Sequence, residues 1–275
     1  SFQTPLAPHT FDGSVHQVEA GEMVAFPLDS QKIRKEKYYT PLLKGRRITE
    51  MAEAEAVLEK ALLESVSLRL PREVKFACLL SGGVDSSLVS AMASLEQKVH
   101  TFSIGYEGYE KYDERPFARR VAEHIGSEHQ EVVFGKADFL QTIEEVVASL
   151  DEPLADPAML PLHHLMKAVH KEGFKVVLTG DGSDELFMGY RTYKEFYDLE
   201  QAKELKFKGW LQHYFKSHFS MHKEWEWYKR IFEESLLFRS TAEVFTDLQQ
   251  NRLLRMNVKD NRSLKALETY QKEFE

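Results

Sequence analysis

Cysteine is almost missing: Cys78 is the only one in 275 residues, which excludes an internal disulfide. No apolar run approaches the roughly 18 residues of a membrane-spanning helix, so no membrane partner is expected. There is no excess of positive charge either. The 36 Lys+Arg against 44 Asp+Glu give a formal net charge of −8, whereas nucleic-acid backbones demand clustered cations, so no nucleic-acid partner is expected. Two common nucleotide signatures are absent, the G-x-x-x-x-G-K-[ST] loop and the G-x-G-x-x-G fingerprint. The chain begins Ser1-Phe2-Gln3, without an initiator Met or a signal pattern, and we expect a cytoplasmic piece of something longer. With 43% apolar residues, the composition is that of a folded chain, long enough for one sizeable core with appendages.

Residues 15–28 read as a hairpin of two short strands around Ala20-Gly21, with little beneath it to cover. The run from Gln31 to Arg47 holds Lys32, Arg34, Lys35, Lys37, Lys44, Arg46 and Arg47 against the single acid Glu36. No aromatic platform accompanies these bases, so the run reads as a solvated tether. Residues 1–48 are thus expected to be remnant and linker. Thr49 is the expected N-cap of an amphipathic helix carrying Leu58, Leu62 and Val66 and ending at Leu70-Pro71. Strands and helices then alternate. Strands are expected at 74–80, 99–104, 129–134 and 175–179, and helices at about 85–95, 114–125, 138–150 and 157–172, the last with Asp156 as N-cap and Pro157 at N1. That alternation means a doubly wound parallel sheet of the α/β class, here spanning 49–190. Beyond Tyr190 the strand signal disappears. Thirteen aromatics lie between Tyr190 and Phe232, including Trp210, Trp225 and Trp227, and 191–275 reads as a helical, aromatic-rich extension.

Two segments carry the chemistry, each directly after an apolar strand. Ser81-Gly82-Gly83-Val84-Asp85-Ser86-Ser87 opens a helix, whose free N–H groups and positive dipole end favour an anion. Its glycines allow close backbone approach and its hydroxyls offer neutral hydrogen bonds. Asp85 in such a loop repels phosphate unless a cation lies between, which implies Mg²⁺. Thr179-Gly180-Asp181-Gly182-Ser183-Asp184-Glu185-Leu186-Phe187 lacks the spacing of a calcium-binding EF-hand. At the carboxyl end of the same sheet, Asp184 can meet Asp85 across one Mg²⁺. The adjacent pair His163 and His164 does not chelate one ion, since neighbours on a helix point about 100° apart.

The first segment resembles the pyrophosphate loop of the N-type ATP pyrophosphatases. Together the two resemble asparagine synthetases and their relatives, with supporting matches at Phe102-Ser103-Ile104-Gly105, 118–131 and 151–157. The resemblance implies a Rossmann-like ATP-pyrophosphatase domain that uses ATP and Mg²⁺. Ser81, Gly82, Gly83, Asp85, Ser86 and Ser87 match the pyrophosphate loop. Leu80, Ile104, Thr179 and Gly180 match positions that hold AMP, Asp181 an acid important for the acyl-adenylate, and Asp184 the second Mg²⁺ carboxylate.

The implied reaction is adenylation of aspartate with release of pyrophosphate, followed by ammonia attack to give asparagine and AMP. Amidation of another carboxylate such as a sugar acid, closure of a β-lactam ring, or nucleotide binding without turnover remain alternatives. The implied partners are small-molecule substrates and a glutaminase domain of the same full-length chain; a homodimer is compatible with the sequence. The family's glutaminase begins with a nucleophilic Cys, whereas Cys78 lies inside a strand and reads as core. The family's Arg-Val-Pro-Phe-Leu-Asp segment and downstream lysine are not found before Glu275. Met188 replaces the first Gly of the usual Phe-Gly-Gly-Tyr, and is expected to narrow the pocket.

Overall fold

The computed structural model describes residues 3–29, 32–40, 45, 47–201, 204, 208–219, 223–233, 245–255 and 267–268. They form two units, one of Ser1–Lys44, Glu152–Ala155 and Tyr190–Glu275, the other of Gly45–Asp151 and Asp156–Gly189.

In the first unit, β1 (Glu22–Ala25) pairs antiparallel with β2 (Arg34–Lys37), Glu22 opposite Lys37 and Ala25 opposite Arg34. The hairpin therefore differs from the one expected. Residues 15–19 are irregular, held by side chains such as Thr10, whose Oγ1 donates to the Val15 carbonyl at 2.9 Å. The partner strand comes from the basic run, where opposite charges face each other across the ladder: Lys35 Nζ lies 3.7 Å from Glu22 Oε1. Lys44 and Arg46 lie outside the described residues. Glu152 joins this unit by accepting the Phe11 N–H at 2.9 Å and the Gln17 amide at 3.0 Å.

The second unit contains α1 (Met51–Arg69), β3 (Phe76–Leu79), α2 (Val84–Ser94), β4 (His100–Tyr106), α3 (Arg115–Ile125), β5 (Glu128–Phe134), α4 (Lys136–Ser149), α5 (Met159–Lys171), β6 (Val176–Leu178) and α6 (Ser183–Phe187). The four strands are parallel in the order β5-β4-β3-β6. The expected doubly wound sheet is present, with two shifts at helix starts. The residue before α1 is Glu50, with no side-chain cap, in place of Thr49. Asp156 and Pro157 precede α5 as a turn, Asp156 Oδ1 accepting the Ala158 N–H at 2.9 Å.

Alternation along β3 divides the core. Phe76 and Cys78 face Val66 of α1, Ala93 of α2 and Val99. Ala77 faces the other way, with Phe102 and with Leu165 and Val169 of α5. Phe102 and Phe174 meet edge to face at 5.6 Å. Each fully buried side chain of this size contributes about 1.5–3 kcal/mol.

Back in the first unit, α7 (Arg191–Gln201), α8 (Lys208–Phe219), α9 (Lys223–Phe232) and α10 (Asp247–Leu254) form the helical part. Leu199 and Ile231 are buried there beside Phe196, Trp227 and Tyr228. Trp210 stacks on Tyr214 at 5.7 Å. The side chain of Trp225 and much of 234–275 lie outside the described residues. No described helix is long and apolar enough to cross a membrane.

Candidate functional site

In the strand order β5-β4-β3-β6, the chain runs from β3 outward through β4 to β5 and then returns to the far side of β3. The loops that leave β3 and β6 therefore meet at the carboxyl ends of neighbouring strands, where the winding reverses. Open α/β sheets bind ligands at this point because the two loops diverge and leave a crevice.

Gly180, after β6, lies against the start of α2. A methyl group placed on it would come 2.7 Å from the Ser86 amide nitrogen and 3.0 Å from the Asp85 carbonyl carbon. No side chain fits between the two loops, so their backbones share one wall. Gly82 meets a second demand: its φ is +83°, and a methyl there would come 2.5 Å from the Ala118 amide nitrogen.

The hydroxyls of the first loop mostly bind the loop itself. Ser87 Oγ donates to the Gly83 carbonyl at 2.6 Å, and Ser86 Oγ, 3.3 Å from the same oxygen, accepts the Ser81 N–H at 3.2 Å. Ser81 and Ser86 Oγ lie 2.9 Å apart, and Ser81 Oγ accepts the Gly83 N–H at 3.2 Å. Gly83 caps α2 without a side-chain bond. The amides of Val84, Asp85 and Ser86 have no acceptor among the described residues. They form the donor cluster of a helix N-terminus preset for an anion.

A cavity of about 370 Å³ opens beside these donors, within the range of small-molecule sites. Of the candidate residues it brings together Leu80, Ser81, Gly83, Asp85, Ser86, Ile104, Thr179, Gly180, Asp181 and Asp184. One end is polar, built from the two loops. The other is apolar, built from Leu79, Phe102, Leu162 and Leu165. Asp85, Asp181 and Asp184 form no ion pair with a Lys or Arg among the described residues. No group of three or more His, Cys, Asp or Glu side chains among the described residues is placed to hold a metal ion by itself, so a Mg²⁺ ion here would need phosphate oxygens beside one or two of these carboxylates, the usual way this ion is bound.

Gly82 and Ser87 do not border this cavity; they line a neighbouring groove with Leu88 and Phe117. Their part is to shape the loop from behind. Met188 also stands away from it. It is 64% exposed, at φ +56° immediately after α6, so its side chain does not narrow the pocket. Cys78 is fully buried in β3, and burial pushes its thiol pKa up to about 11, so it is held as the inert thiol. His163 Nε2 lies 3.2 Å from Glu145 Oε2 and His164 packs on the Phe134 ring at 5.3 Å.

Several wall residues have no motif signal. Tyr106 and Glu114 border the cavity, as do Ala158 from the turn that Asp156 shapes and Pro161 from the first turn of α5. Their positions come from the sheet: β4 runs on to Tyr106, and α5 returns beside it. Behind them, Arg115 lies across Gly105, its guanidinium held by Asp113 at 2.7 and 2.8 Å.

Against known proteins, the profile described as asparagine synthase matches residues 57–272. The glutamine-hydrolysing asparagine synthetase 1 of Bacillus subtilis is 33% identical over 206 residues, covering 74% of this chain and 32% of its own. The glutamine-hydrolysing asparagine synthetase of Homo sapiens is 37% identical over 150 residues, covering 51% of this chain and 26% of its own. The chain thus spans about a third or less of the length of these curated relatives.

Proposed function

Because this chain belongs to the asparagine synthase family, we propose that its cavity binds ATP and serves an ATP-dependent amide-forming ligase, with aspartate as the acid that is adenylated. One observation carries the reading: Gly180 lies directly against Asp85 and Ser86, so two acid-bearing loops and a helix N-terminus border one cavity with an apolar far end. A triphosphate suits the polar end and a purine the apolar end.

On this reading the amides of Val84, Asp85 and Ser86 hold the β- and γ-phosphates, and the hydroxyl bonds of Ser81, Ser86 and Ser87 keep those amides in place. Positioning the leaving group in this way lowers the barrier without any covalent chemistry by the protein. Asp85 and Asp184 would hold Mg²⁺, which when bound supplies positive charge against the departing pyrophosphate. The acceptor carboxylate attacks the α-phosphorus and the bond to the β-phosphate breaks, leaving an acyl-adenylate. Asp181, beside the same cavity, faces that intermediate. Ammonia then attacks the acyl carbon and AMP departs. Unactivated carboxylates resist ammonia near neutral pH, so adenylation is what makes the amide accessible. The relatives are named for glutamine hydrolysis, and ammonia supply by a glutaminase domain of the same full-length chain completes the reading.

The experiment is product analysis on the full-length protein with ATP, Mg²⁺, ammonia and aspartate. AMP, pyrophosphate and asparagine are expected in equal amounts. ADP with phosphate would refute the assignment, and AMP formation only with another carboxylic acid would replace aspartate.

A further inference from the structure

One carboxylate on the cavity wall stands apart from the two phosphate loops. Glu114 immediately precedes α3 and borders the cavity together with Ile104 and Tyr106 of β4. β4 and β6 flank β3, so the end of β4 lies roughly 10 Å across the sheet from the end of β6, whose loop carries Asp181 and Asp184.

Close packing fixes the backbone of Glu114 from both sides. Arg115, the next residue, lies across Gly105 of β4, where a methyl group would come 2.1 Å from its Nε and 2.6 Å from its Cζ. The Asp113 carboxylate holds Arg115 there, accepting its backbone N–H at 3.1 Å as well as its guanidinium. The Glu114 carbonyl accepts the N–H groups of Phe117 and Ala118 at 3.0 and 3.1 Å, and the Ala118 nitrogen is the atom that excludes a side chain from Gly82. Glu114 is thus pinned between the β4 wall and the back of the phosphate loop. Its side chain is exposed, makes no capping bond to α3, and has no hydrogen bond or ion pair among the described residues.

An ionised carboxylate only accepts hydrogen bonds. No Lys or Arg lines the cavity among the described residues, so a phosphate beside Glu114 would meet uncompensated like charge. The group that suits Glu114 is neutral and offers donors, and ATP has two of that kind, the adenine amino group and the ribose hydroxyls. The amino group lies between the ring acceptors N1 and N7, whose lone pairs oppose an approaching carboxylate. The 2′- and 3′-hydroxyls are two donors side by side, a match for two carboxylate oxygens, and an acid holds the ribose in dinucleotide-binding folds in a similar way. We propose that Glu114 binds the ribose hydroxyls and makes this cavity selective for ribonucleotides over deoxyribonucleotides. The inference rests on the ATP reading and adds to it the residue that recognises the sugar.

Calorimetry on the full-length protein and its Glu114→Ala variant, with AMP, 2′-deoxy-AMP, 3′-deoxy-AMP, IMP and pyrophosphate, tests this. The wild type is expected to bind AMP about ten- to a hundredfold more tightly than either deoxy analogue, the worth of a hydrogen bond to a charged group. Glu114→Ala is expected to reduce that preference to about twofold or less. Taking the ratio within each protein cancels any general effect of the lost negative charge. Since the Glu114 side chain is exposed and unbonded, the variant is expected to keep the wild-type urea midpoint and to bind pyrophosphate. The ratio of AMP to IMP affinity is expected to be the same in both proteins. The inference is overturned if the wild type binds the deoxy analogues as tightly as AMP, if Glu114→Ala keeps the wild-type preference, or if the substitution changes the AMP-to-IMP ratio in place of the ribose preference, which would put the base at Glu114. A wild-type protein that binds neither AMP nor pyrophosphate overturns the ATP reading itself.

Discussion

Adding a single methyl group at Gly180 tests whether the two loops act as one site. In Gly180→Ala the new carbon would lie 2.7 Å from the Ser86 nitrogen and 3.0 Å from two atoms of Asp85, where ordinary contact begins at 3.4 Å. Two of those three neighbours are backbone and the third is a Cβ atom, so no flexible side-chain end can swing aside. The β6 loop and the start of α2 must part by about 0.7 Å, the difference between 3.4 and 2.7 Å. Overpacking of this kind costs about 1–3 kcal/mol of stability. The effect on chemistry is larger than on folding, because a displacement of about 1 Å among positioning groups can cost about 10²-fold in rate. Adenylation is therefore expected to fall about 10- to 100-fold, while urea unfolding remains a single transition with a lowered midpoint. Pyrophosphate release by the full-length protein and calorimetry with ATP supply the two readouts. Wild-type ATP affinity and rate in Gly180→Ala would mean that the loops are independent and that the shared wall has no role.

Replacing Asp85 or Asp184 with Asn should leave stability within about 0.5 kcal/mol, as for other partly exposed positions, and abolish the Mg²⁺ dependence of ATP binding; a variant that keeps that dependence contradicts the cation assignment. Met188→Gly should stabilise the chain by roughly 0.5 kcal/mol, since the relief of a left-handed side chain, about 1–2 kcal/mol, exceeds the entropy cost of glycine, about 0.4–1 kcal/mol; a lowered urea midpoint would refute this. Hydrogen bonds from Arg115 hold the Asp113 carboxyl below its usual range, so its contribution is present above the unfolded pKa of about 3.9 and disappears as the pH falls through the folded value. Asp113→Asn should accordingly be less stable than wild type at pH 7 and nearly equal to it once both are compared at strongly acid pH.

The loops were legible in the sequence because glycine, acid and hydroxyl residues interrupt apolar runs at Leu80 and Leu178, and the strand order follows from alternating periods. What escaped the sequence depends on partners distant along the chain. Arg34–Lys37 has no apolar residue and no strand signature, yet it pairs antiparallel with Glu22–Ala25, where Glu22 stands opposite Lys37 and 3.7 Å from Lys35. The serines read as ligand donors until the structure shows Ser87 turned back on Gly83. Met188 invited a pocket role because a glycine is usual there, but the left-handed turn after α6 directs it outward. The contacts of His129 with Thr101 and Ser103, at 2.8 and 3.3 Å, escaped for another reason: each residue looks ordinary by itself, and only the register of β4 on β5 brings them together.

The central claim is that one cavity holds ATP as two adjoining parts, pyrophosphate at the Ser81–Ser87 loop and AMP at the apolar end. Competition calorimetry with Mg²⁺ tests it without requiring turnover. AMP should bind with undiminished affinity in the presence of saturating pyrophosphate, and ATP should displace both. Displacement of AMP by pyrophosphate, or ATP binding that leaves either in place, would contradict the division of the cavity between the two loops and the apolar wall.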